Sequence, residues 1–184
     1  ISIVAANVFF DYIHQITNQE NPVIAVGMDS RPTGPAIADG MLRALVTQGA
    51  IIQYCGVSSA PEIMAFSKKL DGFIYISASH NPIGHNGIKF GTNDGGVLNA
   101  QENSKLIAKF NEILKDDDLV QKLVTKAFSC SSSELKTVYQ TRDSSKFNAL
   151  NSYKEFAKET ITGTNNKEYQ NDFFQILNNY ISEN

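Results

Sequence analysis

Apolar residues recur along the first two thirds of the chain with two alternating periods. Ile3, Val4, Val8, Phe9, Ile13 and Ile16 are spaced to share one side of a helix of about four turns. Pro22 ends it, because proline disfavours a helical predecessor. The continuous run Val23–Gly27 has the character of a strand covered on both faces. A helix follows from about Ala36 to Gln48, stopped by Gly49. Ala50–Gly56 predicts a second strand, Ser58 or Ser59 caps a short helix over Pro61–Leu70, and Phe73–Ile76 predicts a third strand. Gly87–Gly91 reads as a fourth, short strand, and Ala100–Leu114 as a helix with Leu106, Ile107, Phe110, Ile113 and Leu114 inward. Strands alternating with helices predict an α/β fold: a three-layer α/β/α sandwich on a mostly parallel or mixed sheet, with further helices at the C-terminal end.

The pattern changes after residue 115. Asp116–Asp118 reads as a solvated helix end, and Ser129–Ser133 and Thr141–Ser145 as turn or linker material. Between them, Leu135–Tyr139 predicts one more short strand. Ala149–Thr160 and Tyr169–Ile181 read as helices separated by Gly163–Lys167, the last with an apolar stripe of Phe173, Phe174, Ile176, Leu177, Tyr180 and Ile181. The expected division is a first unit over 1–145 and, over 146–184, a linker and the start of a second.

Composition narrows the function classes. At 184 residues and 42% hydrophobic, the chain can bury a core, unlike a disordered one. Sixteen basic against nineteen acidic residues leave a net charge of −3, so no nucleic-acid partner is expected. No apolar run approaches the roughly 20 residues that span a bilayer, so no membrane partner is expected either. Two cysteines cannot build a disulfide framework, and a reducing, cytoplasmic setting is expected. The chain starts without methionine or a signal-peptide pattern, the expectation being a piece of a longer protein.

Chemistry concentrates where the third strand stops. Ile74-Tyr-Ile-Ser-Ala-Ser-His-Asn-Pro82 carries Ser77, Ser79, His80 and Asn81 into a loop, and Ile83–Gly91 follows with Lys89 inside the fourth strand. Ligands of open α/β sheets bind just outside the carboxyl ends of strands. A lone serine there is usually a turn residue; strand, Ser-x-Ser-His-Asn-Pro, then Asn-Gly-Ile-Lys is more than a turn requires. Ser79 needs a base or a field to become a nucleophile. His80 reads equally as a capping histidine or as a catalytic one, and Lys89 as a surface lysine or a phosphate contact. Arg31, in Asp29-Ser-Arg31 at the end of the first strand, reads equally as a bidentate phosphate ligand or as a partner of Asp29. There is no G-x-S-x-G elbow, no Walker or G-x-G-x-x-G loop, and no Cys/His cluster for zinc.

Ser77-Ala-Ser-His-Asn-Pro82 with Asn86-Gly-Ile-Lys89 resembles the phosphoserine loop of the α-D-phosphohexomutases (phosphoglucomutase/phosphomannomutase), written T-A-S-H-N-P followed by N-G-x-K. Gly27-Met-Asp-Ser-Arg-Pro-Thr33 resembles their G-x-D-x-R-x-S segment, and the likeness spans about residues 3–115. It implies that 1–145 is the first domain of such an enzyme. It implies that Ser79 carries a phosphoryl group, donates it to a hexose monophosphate, and takes another back from a glucose or mannose 1,6-bisphosphate intermediate. By the same resemblance His80 and Lys89 assist as catalytic groups, Arg31 and Asn81 contact phosphate or substrate, and phosphorylated Ser79 is one ligand of a Mg²⁺ ion. The other Mg²⁺ ligands, carried by a D-G-D-x-D-R loop, are absent from this sequence, as are the sugar-selecting and distal phosphate-gripping loops. The expected partners are therefore a hexose phosphate and missing domains of the same polypeptide, and the chain alone is expected to be inactive. An amino-sugar phosphate mutase and a non-catalytic sugar-phosphate-binding or interaction module are the alternatives.

Overall fold

The computed structural model describes residues 1–183; Asn184, the last residue of the expected second segment, lies outside the described residues. Four strands, β1 (Val23–Met28), β2 (Ile51–Val57), β3 (Gly72–Ile76) and β4 (Ile88–Thr92), form one mixed sheet in the order β2-β1-β3-β4. β1 pairs in parallel with β2 and β3, while β4 runs antiparallel to β3, with Tyr75 opposite Lys89. Every residue of β3 is buried, as its uninterrupted apolar sequence requires. This arrangement brings the carboxyl ends of β1, β2 and β3 and the amino end of β4 to one edge of the sheet.

Helices α1 (Ser2–Thr17) and α2 (Gly34–Gln48) cover one face, backed by α4 (Ala100–Ile113) and α5 (Asp117–Phe128). Phe9, Leu42, Leu45, Ile74 and Ile76 are fully enclosed there, and the Phe9 ring stacks on Phe90 at 4.6 Å. Each such side chain contributes roughly 1.5–3 kcal/mol by leaving water. The opposite face buries Ala25, Cys55, Ile63, Phe66, Phe73 and Tyr75 together with Ala149, beneath α3 (Ala60–Ser67) and α7 (Arg142–Thr162). Local signals set the boundaries: Gly49 ends α2 at φ 91°, and a reciprocal Ser59–Glu62 capping box starts α3. No described helix is long and apolar enough to cross a membrane.

The C-terminal third differs from expectation in several places. The expected strand Leu135–Tyr139 is helix, within α6 (Ser132–Gln140). Ser131 and Glu134 form a capping box that commits the chain to a helix, and Leu135 and Val138 then share its inner side. Asp116–Asp118 is an exposed helix end as expected, the start of α5, where the Asp116 carboxylate accepts from the Leu119 amide at 2.9 Å. Thr141–Ser145 is not linker: α7 starts at Arg142, and buried Ser145 donates to the Gln53 side chain at 3.0 Å. The boundary expected after residue 145 therefore falls inside one continuous helix. In α8 (Lys167–Glu183), Phe173 and Phe174 are half-buried while Ile176, Leu177, Tyr180 and Ile181 are exposed.

Candidate active site

The edge where β1 and β3 end is built around Arg31. Asp29 follows β1 and is tied to the neighbouring strand end, its amide donating to the Ile76 carbonyl at 3.0 Å. Its carboxylate accepts from the Arg31 amide at 3.1 Å and from Arg31 Nε at 3.0 Å. The remaining guanidinium N–H groups reach across to the serine loop. Nη1 donates to the carbonyls of Pro82 (2.7 Å) and His85 (3.3 Å), and Nη2 to those of Ser79 (2.9 Å) and Asn81 (2.6 Å). An arginine has five N–H donors, and all five are engaged. The side chain is 11% exposed, so these charge-assisted bonds are partly shielded from water. The bidentate phosphate contact expected of Arg31 finds its donors already holding the loop.

The loop leaves β3 through buried Ser77, whose amide donates to the Gly87 carbonyl at 2.9 Å and whose Oγ accepts from the Ser79 amide at 3.0 Å. Ser79 then sits in the left-handed region at φ 57°, which few residues other than glycine, asparagine and aspartate adopt readily. The strain is of order 1 kcal/mol and is held by the two bonds made to Ser79's own backbone. Its residue is exposed, at the open edge of the sheet. His80 and Asn81 are exposed beside it; Asn81 meets Arg31 through its carbonyl, not its amide side chain. Lys89 is half-buried at the second position of β4, opposite Tyr75, and so stands at the same edge. The structure thus brings Arg31, Ser79, His80, Asn81 and Lys89 to one end of the sheet.

Three supports were not read from the sequence. Asn86 Nδ2 donates to Thr33 Oγ1 at 2.9 Å, linking the far end of the loop to the start of α2. Tyr75 Oη donates to the Ser58 carbonyl at 2.9 Å. Lys146 of α7 donates to Glu62 and to Ser58 Oγ, so a residue placed in the expected second segment steadies the β2–α3 turn at this edge. Only Asn86 had a usable signal, its place in the Asn-Gly-Ile-Lys motif.

Burial would raise the Asp29 pKa, but hydrogen bonding from Ser77 and from the Arg31 amide and guanidinium outweighs it and holds the carboxyl below its usual range. Because folding lowers this pKa, the stabilisation is complete above the ordinary value of 3.8 and is lost as the pH falls through the folded value. Thermal melting of Asp29→Asn should therefore lie below wild type at neutral pH, the gap closing as the pH drops under about 4. A gap that stays constant into acid would show that the carboxylate charge does not stabilise this edge.

Among the described residues no group of three or more His, Cys, Asp or Glu side chains could hold a metal ion. Asp29 is engaged by Arg31, and Ser79 offers a single hydroxyl oxygen. These residues alone do not fit Mg²⁺, which prefers six oxygen ligands in octahedral array.

Comparisons with known proteins bear on this edge. The family model described as phosphoglucomutase/phosphomannomutase, alpha/beta/alpha domain I, matches residues 3–117. The chain is similar to the phosphoglucosamine mutase of Staphylococcus carnosus (strain TM300), 33% identical over 97 residues that make up 52% of this chain and 22% of that protein. The phosphoglucosamine mutase of Bacillus pumilus (strain SAFR-032) is 34% identical over 91 residues, 48% of this chain and 20% of that one. The chain thus spans about a fifth of the length of the curated relatives it matches. Among solved structures, a putative phosphomannomutase from Thermus thermophilus superposes with a TM-score of 0.50 at 23% identity, covering 60% of this chain and 26% of that one. A phosphoglucomutase/phosphomannomutase family protein from Burkholderia thailandensis gives 0.51 at 20% identity, covering 61% and 26%. At those identities the likeness is one of fold.

Proposed function

The chain belongs to the phosphoglucomutase/phosphomannomutase family, and we propose that it supplies the phosphoserine half of a mutase site that interconverts the 1-phosphate and 6-phosphate of a hexose. The observation that carries this reading is the Arg31 clamp, which holds Ser79 exposed and backbone-strained at the carboxyl edge of the sheet. In the proposed cycle the phosphoserine P–Oγ bond breaks as a hydroxyl of the sugar monophosphate bonds to phosphorus. The sugar turns over as a bisphosphate, and its other phosphoryl group passes back to Ser79 Oγ. Lys89 and His80 exchange the hydroxyl proton and offset charge at the transferring group. Phosphorylated Ser79 would offer one ligand to a Mg²⁺ ion, which would supply charge neutralisation at the phosphoryl oxygens; the further ligands and the sugar-selecting groups would have to come from outside these residues.

The sugar is the finer question. The relatives named above are phosphoglucosamine mutases, which favours an amino-sugar phosphate over glucose or mannose phosphate. Full-length enzyme charged with a bisphosphate sugar should carry one phosphate, localised by peptide mass spectrometry to Ser79. It should turn over glucosamine 1-phosphate with higher kcat/KM than glucose or mannose 1-phosphate. Phosphate on another residue would overturn the mechanism, and preference for a neutral hexose would overturn the substrate assignment alone.

A further inference from the structure

We propose that Asn86–Gly87, the hinge between the serine loop and β4, is a site of spontaneous deamidation that rewrites the base of the loop as the protein ages. This is the chain's one asparagine followed by glycine. Glycine lacks the side chain that elsewhere screens the following amide nitrogen, and asparagine is among the chemically labile residues. The fold brings the reacting groups together. The Gly87 amide nitrogen lies 2.9 Å from Asn86 Oδ1, against the carboxamide it must attack. Thr33 Oγ1, 2.9 Å from Asn86 Nδ2, is close enough to pass a proton to the departing nitrogen. Both residues line a surface cavity of about 330 Å³ with Ile1, Ser2, Ile37 and Ile88, so water reaches the product.

The step balances without a further reagent. Hydroxide removes the Gly87 amide proton, the nitrogen bonds to Asn86 Cγ, and the Cγ–Nδ2 bond breaks, Nδ2 leaving as ammonia. Water then opens the five-membered imide at either carbonyl, giving aspartate or isoaspartate. The sum is asparagine plus water to a carboxylate and ammonium, the hydroxide being regenerated as ammonia leaves. Either product replaces the donor that Thr33 accepts with an anion. Isoaspartate also routes the main chain through one more carbon, displacing the Gly87 carbonyl that receives the Ser77 amide. The new charge would oppose a phosphoryl group on the loop, a consequence that rests on the proposed function; the chemistry itself does not.

The test is incubation of the native chain in ¹⁸O-labelled water over a range of mildly alkaline pH, followed by peptide mass spectrometry. A urea-unfolded sample run in parallel fixes the intrinsic reactivity of the site. We expect native Asn86 to convert to a mixture of aspartate and isoaspartate, each carrying heavy oxygen, at a rate that rises with hydroxide activity. Asn86→Ser should abolish the labelled product there. Gly87→Ala is the poorer control, because its Cβ would meet the Ser77 carbonyl oxygen at 2.9 Å and disturb the fold. The proposal is overturned if native Asn86 stays intact while the unfolded chain converts, or if aspartate forms with no isoaspartate, which would indicate direct hydrolysis.

Discussion

Replacing Ser79 with alanine in the full-length mutase this domain is proposed to serve should lower turnover by a factor on the order of 10⁴ or more, the scale seen when a covalent nucleophile is removed. The fold should survive. Ser79 is exposed and its side chain supports no core contact, so melting should shift by no more than about 1 kcal/mol, most of it from the left-handed backbone. Glycine at the same position separates the two effects. With φ at 57° a glycine is unstrained, so Ser79→Gly should be at least as stable as wild type and equally inactive. Near-normal turnover in either variant would sink the phosphoserine mechanism, whereas lost turnover with lost folding in both would say only that the loop is structural.

Arg31 is the second position where a large effect is expected. Arg31→Ala releases four loop carbonyls and leaves Asp29 without its counter-charge. Hydrogen bonds to charged groups are worth about 1.5–3 kcal/mol each when shielded, but the loop carbonyls recover water, so a global loss on the order of 2 kcal/mol is expected. The loop should lose far more. Backbone amides over 77–87 should exchange with solvent much faster while the sheet stays protected, and turnover should fall at least about 100-fold from mispositioning alone. Lysine should not rescue, since three donors on a flexible stem cannot reach five acceptors set by a planar fork. The measurement also separates two roles. A residue that only gripped a substrate phosphate would raise KM and leave loop exchange in the ligand-free protein unchanged.

How much of this was legible in advance follows the range of the interactions. The Asp29–Arg31 pair was legible as one of two equal readings of Arg31, because two residues after a strand end have little choice of neighbour. The loop carbonyls were not: they lie about fifty positions along the chain and are main-chain groups, which carry no residue-type signal. The expected strand at Leu135–Tyr139 shows the complementary failure. A short apolar run fits either period, and the Ser131–Glu134 capping box, available in the sequence, was the local signal that decides for helix. Thr141–Ser145 looked like linker because its polar residues are turn formers, yet burial of Ser145 against Gln53 draws it into α7.

Local pattern alone determined the strands and helices over residues 3–113, the fold class, and the loop on which the chemistry falls, because hydrophobic period and cap residues act between neighbours in sequence. Tertiary structure decided that β4 runs antiparallel beside β3, bringing Lys89 to the loop edge, and that α7 closes the second face across residue 145. It also decided that Arg31 clamps the serine loop instead of standing free for phosphate. Those outcomes turn on which buried surfaces and unsatisfied carbonyls meet across the folded chain, a matter of three-dimensional complementarity that no spacing along the sequence encodes.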